Sequence, residues 1–423
     1  MASRVASVTI GGGSTSAVLD LVGANLHADG VNLINTNGTI EVISNSSISS
    51  TNGLQNSGVI CVPTNSGTVT LALNCNFSNG GAIDVETNST LRLTASSYVT
   101  YTLITRTTFP GPGTVQFATG NEALHFNGTM VVNGIVEMFA GISGYSSWTG
   151  PGLFRWEAGG IGGVTFASDF HVELAGGGGV FDNCTNQGSM RVIGTNDLAF
   201  YNGTFYNQGL FQVESNCVLE NFGGGGFVNS GTIKVPGELG TQTLAFNCNF
   251  TNSGIIDVET NSTLQLPDNS FTQTTFLDGS TFDGAGIIQF SGDNNALECH
   301  GLMTVNGTIE YQKQNGIFGS SFWTGPGLLR FEAGGIGGVI FAPDFHTEIN
   351  GTFAVYSDCT NQGPMHLVGF NNWYMIGGTF YNTGSFQIES NCNFQTEGFP
   401  GGFENTGTIL LPAGLDTQSV SIG

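Results

Sequence analysis

The chain has 423 residues, enough for several domains or one long repeat array, and a hydrophobic fraction of 39% excludes a disordered polymer. Charged residues are only 9% while Gly numbers 66 and Phe 32, so the polar surface must be built from Ser, Thr, Asn and Gly, which favour turns over helices. Eight Lys and Arg against 31 Asp and Glu leave a formal charge of −23, which repels phosphate backbones and excludes nucleic acid as a partner.

The chain opens on MASRVASVTIGGG, which lacks the apolar stretch of a secretory signal. The composition still suits an extracellular or cell-surface protein, and the chain is read as a mature form or a fragment of one. No run approaches the ~20 apolar residues of a spanning helix, so no membrane span is expected.

From Asn56 onward one frame recurs. It appears as NSGVICV at Asn56, NGGAIDV at Asn79, NQGSMRV at Asn186, NQGLFQV at Asn207, NSGTIKV at Asn229, NSGIIDV at Asn252, NQGPMHL at Asn361, NTGSFQI at Asn382 and NTGTILL at Asn405. Weaker copies begin at Gly111, Val132, Gly150, Gly284, Val305 and Gly325, and adjacent starts are mostly 18 to 23 residues apart. A gap of 36 residues holds a further strand in GGVTFASDFHVEL. Within a copy the alternation is strict: Phe250, Asn252, Gly254, Ile256 and Val258 share one parity. Strand residues point alternately to opposite faces, so Ile256, Val258, Ile233 and Val235 should be buried, and Thr232 and Lys234 wet. A period near 21 in short strands marks a solenoid. The prediction is an all-β, right-handed parallel β-helix of about 21–22 residues per coil, with roughly nineteen coils stacked at about 4.8 Å.

A larger repeat overlies the small one. NCNF recurs at Asn74 and Asn247, WTGPGL at Trp148 and Trp323, EAGGIGGV at Glu157 and Glu332, and ESNC at Glu214 and Glu389, at offsets of 173 to 175 residues. Read as coils, that is about eight, duplicated whole with the register kept. The expected organisation is one continuous solenoid, with N-terminal coils at 1–55, large repeats at 56–228 and 229–404, and the start of a third at 405–423. The last stretch, ILLPAGLDTQSVSIG, stops mid-pattern. Its end coil is therefore expected to be covered by neighbouring repeats of a longer chain or by another copy, head to tail.

The frame in FTNSGIIDV (250–258), FVNSGTIKV (227–235), FYNQGLFQV (205–213) and FENTGTILL (403–411) resembles the repeat of secreted right-handed β-helices of the filamentous haemagglutinin and autotransporter passenger type. The resemblance is one of repeat grammar, covers most of the chain and includes no secretion domain. It implies an extracellular stalk, adhesin or fibre. The residues also explain the frame on their own terms. Phe and Ile or Val fill a narrow core, Asn bonds its counterpart in the next coil from a left-handed bend, and Gly lets backbones approach at a corner.

One polar constellation stands out. SDFHVEL (168–174) and PDFHTEI (343–349) should aim Asp169, His171 and Glu173, and Asp344, His346 and Glu348, outward along one strand each. Arg155 and Glu157, or Arg330 and Glu332, face outward on the preceding coil. Acid, imidazole and carboxylate together suit acid–base glycoside cleavage or a divalent cation, which makes those six the candidate catalytic residues of a polysaccharide-active β-helix. A solvated strand face, copied by duplication, is the preferred reading. No GxSxG elbow, P-loop, HExxH or CxxC occurs, and no cofactor or metal is expected.

Cys75 and Cys248, Cys184 and Cys359, and Cys217 and Cys392 correspond across the large repeat, and Cys75, Cys184, Cys248 and Cys359 fall on the inward parity. Buried free thiols are favoured, with an inter-coil disulfide left open. Among the N-x-S/T sequons, Asn88 and Asn261 fall in the turn after a strand and are the candidate glycosylation sites. Trp148 and Trp323, with Tyr145 and Phe322 beside them, are candidates for stacking on sugar rings. The reading is a noncatalytic extracellular structural or adhesive rod, with self-association and cell-surface glycans as candidate partners. A polysaccharide-active enzyme and a carbohydrate-binding module array are the alternatives.

Overall fold

The computed structural model describes residues 2–95, 100–104, 106–118, 123–194, 196–268, 272–292, 296–312, 315–369, 371–396, 400–412 and 420–422. The chain is an all-β parallel β-solenoid of about 18 turns, one fewer than the frame suggested, with 62% strand and no helix among the described residues. It divides into two compact units, Met1–Gly209 and Leu210–Gly423.

Most coils hold three short strands joined by bends, paired in parallel with their counterparts in adjoining coils; in the second unit Ile317–Thr324 and Gly334–Phe341 each run through two sides as one longer strand. In the first unit one such ladder runs through Val59–Val62, Ala82–Val85 and Thr108–Phe109, with Ile60 opposite Ile83 and Val62 opposite Val85. In the second unit Thr232–Val235, Ile255–Val258 and Ser280–Asp283 pair in the same way, with Ile233 opposite Ile256. The alternation is as expected. Ile233, Val235, Ile256 and Val258 are fully buried, whereas Thr232 and Lys234 are half-buried on the opposite side. Aromatic rings extend the core from coil to coil: Phe246 lies 3.9 Å from Phe250, which stands 5.9 Å from Phe276.

The frame's asparagines bond along the solenoid axis. Asn229 donates through Nδ2 to Asn252 Oδ1 (2.7 Å), and Asn252 donates to Ser280 Oγ (3.2 Å) and to the Gly254 carbonyl (3.1 Å). In the first unit Asn56 donates to Asn79 (2.6 Å), and Asn79 to Thr107 Oγ1 (3.1 Å). These amides are buried, so each must find protein partners in place of water. They are not left-handed, contrary to expectation, because each ends a strand and keeps extended backbone. Positive φ falls instead at the following corner, on Asn65 and Asn88 in one unit and Glu238 and Asn261 in the other. The frame's glycine does allow close approach. A Cβ on Gly81 would lie 2.2 Å from the Gly58 carbonyl oxygen, and one on Gly254 2.1 Å from that of Gly231.

The large repeat is not a whole number of coils, which corrects the expectation of eight. Counted in chain order among the described residues, the strand Gly226–Asn229 is the twenty-fifth after its twin Leu54–Asn56, where eight coils of three would make twenty-four. All three sides of a coil offer the same alternation of buried and wet positions, so a copied segment can enter one strand late.

Ile256→Ala should lower stability by ~2–5 kcal/mol, because an enclosed interior cannot close over the cavity. Asn252→Ala should cost about 1–3 kcal/mol by removing a partner of both Asn229 and Ser280. Thr232→Ala should stay within about 0.5 kcal/mol. Denaturant midpoints read all three, and equal shifts for Ile256 and Thr232 would contradict the assigned faces.

Candidate functional site

Asp169 and Asp344 are exposed and turn back to the preceding coil. Asp169 accepts hydrogen bonds from Thr149 Oγ1 (3.0 Å to each oxygen) and from the Gly150 amide (3.1 Å). Asp344 accepts the equivalent bonds from Thr324 Oγ1 (3.0 and 3.3 Å) and the Gly325 amide (3.2 Å). Gly150 and Gly325 have φ of 108° and 107°, so each aspartate braces a left-handed corner.

Glu173 and Glu348 belong to columns of charge. In the first unit Glu137, Arg155, Glu173 and Arg191 follow one another in register. Arg155 reaches Glu137 through Nη1 (2.9 Å) and Glu173 through Nε (3.0 Å), and Arg191 Nη1 lies 3.1 Å from the other Glu173 oxygen. In the second unit Arg330 joins Glu310 (2.8 Å) and Glu348 (3.1 Å), and His366 is the register neighbour of Glu348. Burial works against the charge on Arg155 and Arg330. The bonds and charges of the flanking glutamates outweigh it and raise both guanidinium pKa values above the ordinary one.

His171 and His346 are exposed. His171 borders a shallow hollow with Pro151, Gly152, Glu173 and Arg191. Asp169 is thus engaged at a corner, whereas His171 and Glu173 border the same hollow, with Glu173 held between two arginines. Among the described residues, no group of three or more His, Cys, Asp or Glu side chains is placed to hold a metal ion, and no helix is long and apolar enough to cross a membrane.

The sugar-stacking expectation for Trp148 and Trp323 is overturned. They are 0% and 1% exposed, stacked on Phe109 (6.3 Å) and Phe282 (6.1 Å), with indole N–H groups bonded to Ser146 (3.1 Å) and Ser321 (3.0 Å). Both take the inward parity of their strand, and no ring face remains for a ligand. Tyr145 and Phe322, on the opposite parity, are exposed. Asn88 and Asn261 occupy exposed left-handed corners (φ 57° and 59°), and their Nδ2 atoms donate to Asn65 (3.0 Å) and Glu238 (2.9 Å). A glycan on either would take the place of one of the two hydrogens on that donor nitrogen.

One feature escaped the sequence reasoning: a hollow in the second unit where Tyr356 and Tyr374 flank Gly334 and Ala354. Its sequence signal was the glycine run in EAGGIGGV at Glu332, a strand whose missing side chains leave room for rings from other coils. No family model, curated protein or solved structure matches the chain.

None of the eight cysteines is joined in a disulfide; seven are buried and Cys61 is half-buried. Burial pushes the thiol pKa up to about 12 for Cys184, Cys248 and Cys392 and to about 11 for Cys75 and Cys359. For Cys61, burial and then Glu41 and Asp84 raise it to about 11. A raised pKa leaves the thiol protonated, and so unreactive, at any pH below it. At pH 8 a chromogenic disulfide reagent should therefore titrate almost none of the native thiols, and all eight in guanidinium. Fast reaction of several native thiols would contradict this burial. Arg155→Ala should destabilise by about 1 kcal/mol, an effect that shrinks as salt is added, because its pairs are only partly buried. Unfolding midpoints at low and high salt check it.

Proposed function

We propose that this protein is a noncatalytic structural or adhesive rod that works outside the cell, within a longer chain or alongside further copies of itself. The observation that carries this reading is where the charged side chains are engaged. Asp169, Asp344, Glu173 and Glu348 hold corners and arginines of adjoining coils. A general acid or base instead needs a carboxyl within reach of the proton it transfers. The polar, acidic exterior supports the same reading, since a strong net charge keeps a repetitive protein solvated and resists nonspecific association.

The test combines imaging with an activity assay. Electron micrographs of the purified chain should show slender particles. Incubation with polygalacturonate and with neutral polysaccharides should release neither reducing ends nor unsaturated uronates. Release that disappears in His171→Ala and Glu173→Gln would overturn the noncatalytic reading.

A further inference from the structure

The second unit carries on its outer surface a hollow that none of the bracing contacts uses. Gly334 and Ala354 form its floor, and Thr352, Tyr356, Tyr374 and Ile376 stand around it, enclosing about 410 Å³. That size falls among small-ligand sites. Register explains the shape: Gly335 lies opposite Ala354, and Ala354 opposite Tyr374. Two rungs with almost no outward side chain therefore adjoin a rung that presents a tyrosine. Tyr356 is 42% exposed and rests against Phe318, 5.3 Å away. Its ring lies over Gly335, where an added Cβ would come within 2.7 Å of it.

The chemistry of the lining selects the ligand. None of the residues lining the hollow is Asp, Glu, Lys, Arg or His, although the chain carries 31 Asp and Glu and only eight Lys and Arg. An anionic sugar would meet that field with no cation to receive it. A wholly apolar ligand would bury the Thr352, Tyr356 and Tyr374 hydroxyls without partners. A neutral pyranose suits both features, with C–H groups on its faces for the rings and hydroxyls at its edge for the rim. We propose that this hollow binds a neutral polysaccharide, with sugar rings seated over Gly334 and Ala354 between Tyr356 and Tyr374. The proposal rests on the adhesive side of the function above and names its ligand class.

The duplication supplies an internal control. At the positions equivalent to Thr352, Ala354, Tyr356, Tyr374 and Ile376, the first unit has Gly177, Gly179, Phe181, Ala199 and Tyr201. The wall contributed by Tyr374 is missing there, and Phe181 and Tyr201 stack on each other (4.6 Å, 8° between planes), covering each other's faces.

Affinity electrophoresis of the full chain tests the site, in native gels containing mixed-linkage β-glucan, galactomannan or soluble starch, with polygalacturonate as the anionic counterpart. Retardation is expected in at least one neutral gel and not in polygalacturonate. Tyr356→Ala and Tyr374→Ala should each weaken it by about tenfold or more, with unchanged thermal unfolding, and Phe181→Ala should leave it intact. Tyr374→Phe, which keeps the ring, guards against misfolding of the alanine variant and should weaken retention less. Absence of retardation in every neutral gel, retention indifferent to both tyrosines, or retention by polygalacturonate alone would overturn the site. A chain that neither binds nor cleaves would remove this site and leave the structural reading, whereas binding accompanied by cleavage would remove the noncatalytic reading and leave the site.

Discussion

The structure depends on one constraint: each coil lies directly on the last at the spacing of hydrogen-bonded strands, about 4.8 Å. At that distance equivalent residues of successive coils must tolerate each other. An inward isoleucine meets another, as Ile60 meets Ile83. A buried amide meets an amide it can bond, as Asn229 meets Asn252. Where backbones touch, as between Gly81 and the Gly58 carbonyl, any side chain would push the coils apart and loosen the neighbouring strand pairings. Asn and Gly therefore travel together in the frame, one tying coils at the corner and the other letting them close.

The same spacing governs charge. Outward residues also stack, and like charges on adjacent rungs repel. With so few cations available, their placement matters: Arg155 stands between Glu137 and Glu173, and Arg330 between Glu310 and Glu348. A contrasting column in the first unit, Asp20, Glu41, Cys61 and Asp84, contains no cationic rung. In this column burial and then Glu41 and Asp84 raise the thiol pKa of Cys61, and burial and then Glu86, two residues along the chain, raise that of Asp84. The acidic surface is thus neutralised only in places, and those places include the strands first singled out for chemistry.

The two large repeats share many core residues, although Leu198 gives way to Trp373 inside. Phe166 and Phe341, or Trp148 and Trp323, fill equivalent core positions, whereas Arg191 gives way to His366 and Ala199 to Tyr374. Inward positions are held by contact with the coils on both sides. Outward ones answer only to their rung neighbours and to water, and the tyrosine-flanked hollow arose on that freer surface.

Which side chains are buried was legible in the sequence, because alternation is a local property of a strand. It placed Ile256, Cys75, Cys184, Cys248 and Cys359 inside and Lys234 outside. Followed strictly, it also places Trp148 inside, where its sugar-binding look proved misleading. Which outward residues meet was not legible. The neighbour of an outward residue lies a whole coil away, and coil length varies, with 18 residues between Phe154 and Val172 but 27 between Cys217 and Leu244. Only the stacked structure decides that Glu173 meets Arg191, that Asp169 closes the corner at Gly150, and that Tyr356 lies over Gly335. Burial is determined strand by strand, but a site on a solenoid is assembled across coils, and the length of every intervening bend sets who arrives beside whom.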